Sequence, residues 1–230
     1  IFILVALLMA LDIILVWISG EVVSCFQSRI GPNRVGPFGL IQPFADIIKL
    51  LIKEDTTPEG ADKTLYNLAP ILSMMSVLIL WAVVPLAPSI LGVDLNIGAL
   101  YIIAAGAIGA LSIIMAGWSS NNKYSLIGAF REVAVMLSFE IPMLTVMLIP
   151  TIFTGSMGIG AITQAQDTWF VFLAPLAAVI FLIAAIAELG RAPFDMGEAE
   201  SELISGYNIE YSGMKFGMFF VAEFLHAFTV

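Results

Sequence analysis

The sequence predicts an all-α polytopic membrane protein, with about six transmembrane helices and an amphipathic interfacial helix in the first inward loop. Three observations lead there. Of 230 residues, 60% are hydrophobic and only 12% carry charge, against about 25% charged in a soluble domain. Residues 64–93, 95–122, 141–166 and 168–187 contain no Asp, Glu, Lys or Arg, and each run exceeds the roughly 18 residues that cross hydrocarbon. The apolar runs are also continuous, without the alternation of barrel strands about ten residues long.

Helices are expected near 1–19, 66–88, 99–118, 128–153, 168–188 and 214–230. Residues 1–18 lack the basic flank and small-residue cleavage site of a signal peptide, so they read as the remainder of a first spanning helix. Pro85 and Pro88 are expected to close the second helix, and Pro150 with Gly155, Gly158 and Gly160 the fourth. The third and fifth coincide with uncharged runs. The sixth carries Glu223 and the single histidine, His226, for which packing or a hydrogen bond is expected. Ile1 and Val230 both lie inside apolar runs, so both ends read as cuts through helices of a longer protein. Residues 1–230 form a single transmembrane domain on this reading.

Charge sets the orientation. The basic residues fall in or beside alternate connections: Arg29, Arg34, Lys49, Lys53 and Lys63, then Lys123 and Arg131, then Arg191 and Lys215. The opposite connections, 89–98 and 154–167, contain none. Lys and Arg near helix ends favour the cytoplasmic side, so the charged loops are expected to face inward. Within the first inward loop, 20–65, Pro43 suits the first turn of a helix. Asp46, Lys49 and Lys53 then share one face of an otherwise Ile- and Leu-rich segment. An interfacial helix fits this pattern; a re-entrant or buried core helix is the alternative. The net charge of −9 arises mainly in and beside the connections. It does not mark an acidic soluble domain, and no nucleic-acid partner is expected. The lone Cys25 excludes an intrachain disulfide and reads as packing.

The acidic side chains carry the chemistry. Residues 188–213 form an inward acidic loop in which Glu188, Asp195, Glu198, Glu200, Glu202 and Glu210 face a single cation, Arg191. Asp12, Glu140 and Glu223 lie within spans, where a central charge costs about 2.5–3.5 kcal/mol on insertion scales. Such groups must be neutral, paired or next to water. Pro142, just after Glu140, frees backbone groups and commonly accompanies a hydrated kink. Clustered carboxylates repel one another, so at least one proton is held more tightly than in water, as a proton relay requires. For any single acid, a satisfied structural pair remains the alternative. Arg191-Ala-Pro-Phe194-Asp195 permits a local ion pair at a helix end; a simple helix cap and an Arg191 directed at a polar headgroup are the alternatives. Arg29-Ile-Gly-Pro-Asn-Arg34-Val-Gly-Pro-Phe-Gly39 is a turn-rich loop suited to either a lipid headgroup or a substrate. There is no dinucleotide fingerprint, P-loop, zincin motif or Cys-x-x-Cys, so no redox cofactor is expected on this chain.

The loop from Gln27 through Arg29 and Asp46 to Glu54, the stretch Ala116-Gly-Trp-Ser-Ser-Asn-Asn-Lys123, Ser138-Phe-Glu140-Ile-Pro, and the run from Glu188 to Glu223 together resemble one family. It is the quinone-site membrane subunit of respiratory complex I, the proton-pumping NADH:quinone oxidoreductase. The resemblance implies eight spanning helices, of which this chain would lack the start of the first and the last two. It implies a quinone chamber formed with a hydrophilic arm, lined or supported by Arg29, Arg34, Arg191, Phe194 and Asp195. It further implies an acidic proton path through Glu140, Glu188, Glu198, Glu200, Glu202, Glu210 and Glu223, flanked by Asp46 and Arg131. Iron–sulfur clusters and FMN would sit in partner subunits, with antiporter-like membrane subunits beside this one. The location implied is a bacterial plasma membrane, with the mitochondrial inner membrane as the alternative.

Some positions depart from the family pattern. Ser19-Gly20-Glu21 stands where the family shows Glu-Arg-Lys, Glu132 and Val135 are unusual, Asp12 is unexpected, and Phe139 replaces a tyrosine. The competing readings are the corresponding subunit of an energy-converting hydrogenase or another complex I-like assembly, a stand-alone secondary ion transporter, and a passive anchor.

Overall fold

The computed structural model describes residues 2–85, 93–191, 193–195 and 206–229. The described residues form α1 (Phe2–Phe26), α2 (Gln42–Ile52), α3 (Lys63–Trp81), α4 (Gly98–Ser119), α5 (Lys123–Thr154), α6 (Ile159–Gln164), α7 (Phe170–Leu173), α8 (Pro175–Glu188) and α9 (Gly213–Thr229), with 3₁₀ turns at Pro37–Gly39 and Gly206–Asn208. Among them there is no strand. By length and composition, α1, α3, α4 and α5 suffice to cross a membrane, and α8 is a shorter apolar helix.

Packing runs from α9 to α3, α4, α5 and α8, with α1 and α2 against the outside of α9. The seams are built on small side chains: Ala69, Ala105, Ala116, Ala129, Ala185 and Ala222 are all buried. Such residues let helix backbones approach where lipid offers no hydrophobic drive for association. At one end of the bundle Val77, Leu80, Trp81, Ala105, Ala222 and Leu225 pack together. At the other, Tyr66, Tyr207, Tyr211 and Phe219 form an aromatic floor.

Several boundaries differ from the sequence expectation, each for a local reason. The first helix continues past Ser19-Gly20-Glu21 to Phe26. Its serines do not stop it, because Ser19 and Ser24 turn their hydroxyls onto the Val16 and Glu21 carbonyls at 2.9 and 2.7 Å. Cys25, at its end, is exposed rather than packed. α3 ends at Trp81, before Pro85; Pro88 lies outside the described residues. Pro150 does not close α5. That helix runs through Pro142 and Pro150 to Gly155, whose φ of 68° forms a left-handed cap. The run near 168–188 is broken at Ala174 (φ −136°, ψ 66°), where Pro175 supplies no N–H to continue α7 into α8. α2 agrees with the predicted amphipathic helix, but Lys53 is its extended C-cap rather than a member of its face.

The three basic connections meet at one end of the bundle. Lys215 pairs with Asp55 at 2.8 Å, Asn122 donates to Glu210 at 2.6 Å, and the Asp62 amide donates to the Ser119 carbonyl at 3.1 Å. Tyr66 and Tyr211 stack there with ring centroids 4.2 Å apart, and the Tyr66 hydroxyl donates to the Glu210 carbonyl at 2.6 Å. Burial pushes the Tyr211 phenol up to about 12, against the opposing pull of hydrogen bonds with Ser119 and Ser120. Because the folded value is raised, the stabilisation from a neutral Tyr211 is complete below about pH 10 and disappears as pH rises through about 12. Thermal midpoints of the solubilised protein are therefore expected to fall across that window. Tyr211→Phe should flatten the fall, and an identical slope in that variant would contradict the assignment.

Candidate functional site

Between α3, α4, α5, α9 and the end of α8 lies a cavity of about 70 Å³, enough for a few waters. Ser73 and Ser76 of α3, Gly106 of α4, Glu132 of α5, Glu188 of α8, Tyr207, and Glu223 and His226 of α9 all reach it. Glu223 and His226 share a helix face by their i, i+3 spacing. Glu188 ends α8, and the chain then turns through Gly190 in the left-handed region, φ 59°. A Cβ at Gly190 would stand 2.6 Å from Glu132 Oε1, so glycine here serves both the turn and the close approach of α8 to a buried carboxyl.

Arg191 reaches back across the opening. Its Nη2 lies 2.9 Å from Glu223 Oε1, and its guanidinium sits 4.9 Å from the centre of the Phe224 ring. The ion pair described for Arg191 is thus with α9, not the local one with Asp195 that the spacing permits. The reason is geometric: the turn after Glu188 carries Arg191 toward α9 and leaves Asp195 exposed. Glu188 Oε1 is 3.8 Å from His226 Nε2. Glu188 Oε2 and His226 Nε2 are buried without a hydrogen-bond partner. Glu188 also lies near enough to Glu140 for the two carboxyls to interact electrostatically.

The remaining sequence-predicted residues are more dispersed. Phe194 packs on Phe139, ring centroids 5.0 Å apart. Arg29 and Arg34 are exposed, and Arg29 Nε donates to Gln27 at 2.6 Å. Asp46, also exposed, accepts from Gln42 at 3.2 Å. Arg131 is half-buried on α5. Glu210 belongs to the end where the basic connections meet, lining a surface cavity with Lys123. Glu198, Glu200 and Glu202 lie outside the described residues. Sequence reasoning did not place Glu132 or His226 in the site. Glu132 was visible as an unusual acid about two turns before Glu140, while His226 had a signal in its position one helical turn after Glu223.

The comparisons with known proteins agree in one direction. The family model described as NADH dehydrogenase matches residues 1–230. The H subunit of the NADH-quinone oxidoreductase of Dehalococcoides mccartyi (strain CBDB1) is 49% identical over 218 residues, covering 95% of this chain and 62% of the relative. Its counterpart of the same name in Brevibacillus brevis is 49% identical over 214 residues, 93% of this chain and 64% of the relative. NADH-quinone oxidoreductase subunit 8 of Rhodothermus marinus is 44% identical over 222 residues, 94% of this chain and 65% of the relative. The chain spans 62–65% of the length of these relatives.

Proposed function

The chain belongs to the NADH dehydrogenase family, and from that premise we propose that it serves as a membrane subunit of a proton-translocating NADH:quinone oxidoreductase. Its basic end joins the hydrophilic arm, on the cytoplasmic face of a bacterial plasma membrane. There Arg29, Arg34, Arg191, Phe194 and Asp195 line or support the chamber in which quinone is reduced. FMN and iron–sulfur clusters reside in partner subunits, and this chain supplies the quinone site and the acidic path. The observation that carries the reading is the cavity in which Glu132, Glu188 and Glu223 meet beneath Arg191.

Carboxyls gathered in low dielectric do not all ionise together. A change of charge beside Arg191 alters the field on Glu223 and Glu188, and Glu140 responds through Glu188. Glu198, Glu200, Glu202 and Glu210 extend the path toward the arm, with Asp46 and Arg131 at its flanks. Antiporter-like partners would receive the protonation change and move ions.

The test is purification of the assembly through a tag on this chain, followed by reconstitution into vesicles. NADH-driven quinone reduction with acidification is expected. Glu140→Gln and Glu202→Gln are expected to lose acidification. Hydrogen evolution without quinone reduction, ion flux from this chain alone, or full pumping by both variants would overturn the reading.

A further inference from the structure

The cavity of the acidic site is not the only one in the bundle. A second, of about 190 Å³, lies further along and is walled mainly by apolar side chains of α3, α4, α5 and α8, among them Leu80, Ile102, Met143 and Phe181, with His226 and Thr229 from α9. Among the described residues, the two cavities share only Glu188 and His226. We propose that His226 is a proton-holding residue of the acidic path, sharing one proton with Glu188 across the partition between the cavities.

Three observations support it. Glu188 Oε1 and His226 Nε2 face each other at 3.8 Å, and Glu188 Oε2 and that same Nε2 have no hydrogen-bond partner. Both residues face the water-sized space of the first cavity. Imidazole is also the side chain that exchanges a proton most readily between about pH 5 and 8. At 3.8 Å the pair is not yet hydrogen-bonded. One intervening water, or a rotation that closes the gap to about 2.9 Å, makes transfer possible. The step balances without a co-reactant: a neutral carboxyl and neutral imidazole become carboxylate and imidazolium, and the reverse returns the proton.

The charged and titratable groups around His226 define what it senses. From α8 it faces Glu188, and from its own helix Glu223, which is held by Arg191. Across the cavity α5 presents Glu132, with Glu140 coupled to Glu188. At this level α3 offers the Ser73 and Ser76 positions, and α4 only glycine and apolar residues. Of the elements outside α9, α1 carries the buried Asp12, while Asp46, Lys49 and Lys53 of the α2 segment lie toward the start of α9, where Leu50 meets Gly217.

This inference rests on the proposed acidic path, and the experiment separates the two. The whole assembly is prepared with His226→Gln, whose amide nitrogen stands near the Nε2 position, with His226→Asn, whose amide stands near Nδ1, and with Glu188→Gln as reference. Assembly is checked by recovery of the partner subunits through a tag on this chain, with NADH oxidation by a soluble acceptor as the control that does not use this chain's site. Quinone-coupled acidification is then recorded against pH. Both histidine variants are expected to assemble, to alter the pH profile of acidification, and to acidify less per quinone reduced. If Glu188→Gln lowers acidification while both histidine variants keep the unaltered chain's pH profile and ratio, His226 is a packing residue and the inference fails alone. If Glu188→Gln is silent as well, the acidic path itself fails. If one histidine variant does not assemble, the other decides.

Discussion

Arg191→Ala is expected to lower quinone reduction by the assembled enzyme by about tenfold, with assembly retained. The arginine holds Glu223 Oε1 at 2.9 Å and lies over the Phe224 ring at 4.9 Å. A hydrogen bond to a charged group contributes roughly 1.5–3 kcal/mol, and each 1.36 kcal/mol is about tenfold in rate. Only the lower end applies here, because the Arg191 side chain is 44% exposed and solvent screens its charge. Arg191→Lys keeps the charge but loses the planar fork and the ring contact, so an intermediate rate is expected. Turnover with NADH and a short-chain quinone measures both. Equal activity in the lysine and alanine variants would show that charge at this position is immaterial to the site.

Gly128→Val should destabilise the fold far more than a substitution at a glycine in open space. A Cβ at Gly128 would lie 2.8 Å from the Gly206 backbone, where neither partner has a flexible side chain to move aside. The contact holds the Gly206–Asn208 turn on α5, and Ser125 Oγ bonds the Tyr207 carbonyl beside it at 2.8 Å. Overpacking of this kind costs about 1–3 kcal/mol, and the backbone contact places it at the upper end. Gly155→Ala is the comparison. It meets nothing within 4 Å and bears only the left-handed penalty of about 1 kcal/mol. Thermal midpoints of the solubilised assembly should rank Gly128→Val well below Gly155→Ala. The valine variant should also disturb the cavity through Tyr207. A midpoint for Gly128→Val at or above that of Gly155→Ala would contradict the packing account.

Much of the architecture was legible in the chain. Uncharged runs located the helices because the cost of placing each side chain in hydrocarbon is a local property, summed along a window. The same locality explains where the boundaries went astray. Ser19-Gly20-Glu21 and Pro150 look like helix ends, yet α1 and α5 pass through them. Hydroxyls that bond back to their own helix, as at Ser19 and at Thr154 onto the Pro150 carbonyl, are not encoded in hydropathy.

The acidic site was half legible. The run from Glu188 and the intramembrane Glu140 and Glu223 announce themselves by the cost of charge in an apolar setting. The spacing left open a local pair of Arg191 with Asp195, but Arg191 pairs with Glu223, 32 positions away in the chain. Glu132 approaches α8 only because Gly190 has no side chain. The spacing of His226 from Glu223 was its one signal along the chain; its partner was not legible there, because only the fold of α8 brings Glu188 beside it.

The sequence by itself determined that this is a helical membrane protein, which connections share one end, and which side chains are too costly to bury without a purpose. The tertiary structure alone decided which of those side chains meet. Periodicity constrains residues within a turn or two of one another, whereas the Glu188–His226 and Arg191–Glu223 contacts depend on how α8 returns against α9. That return is set by the packing of α3, α4 and α5 between them.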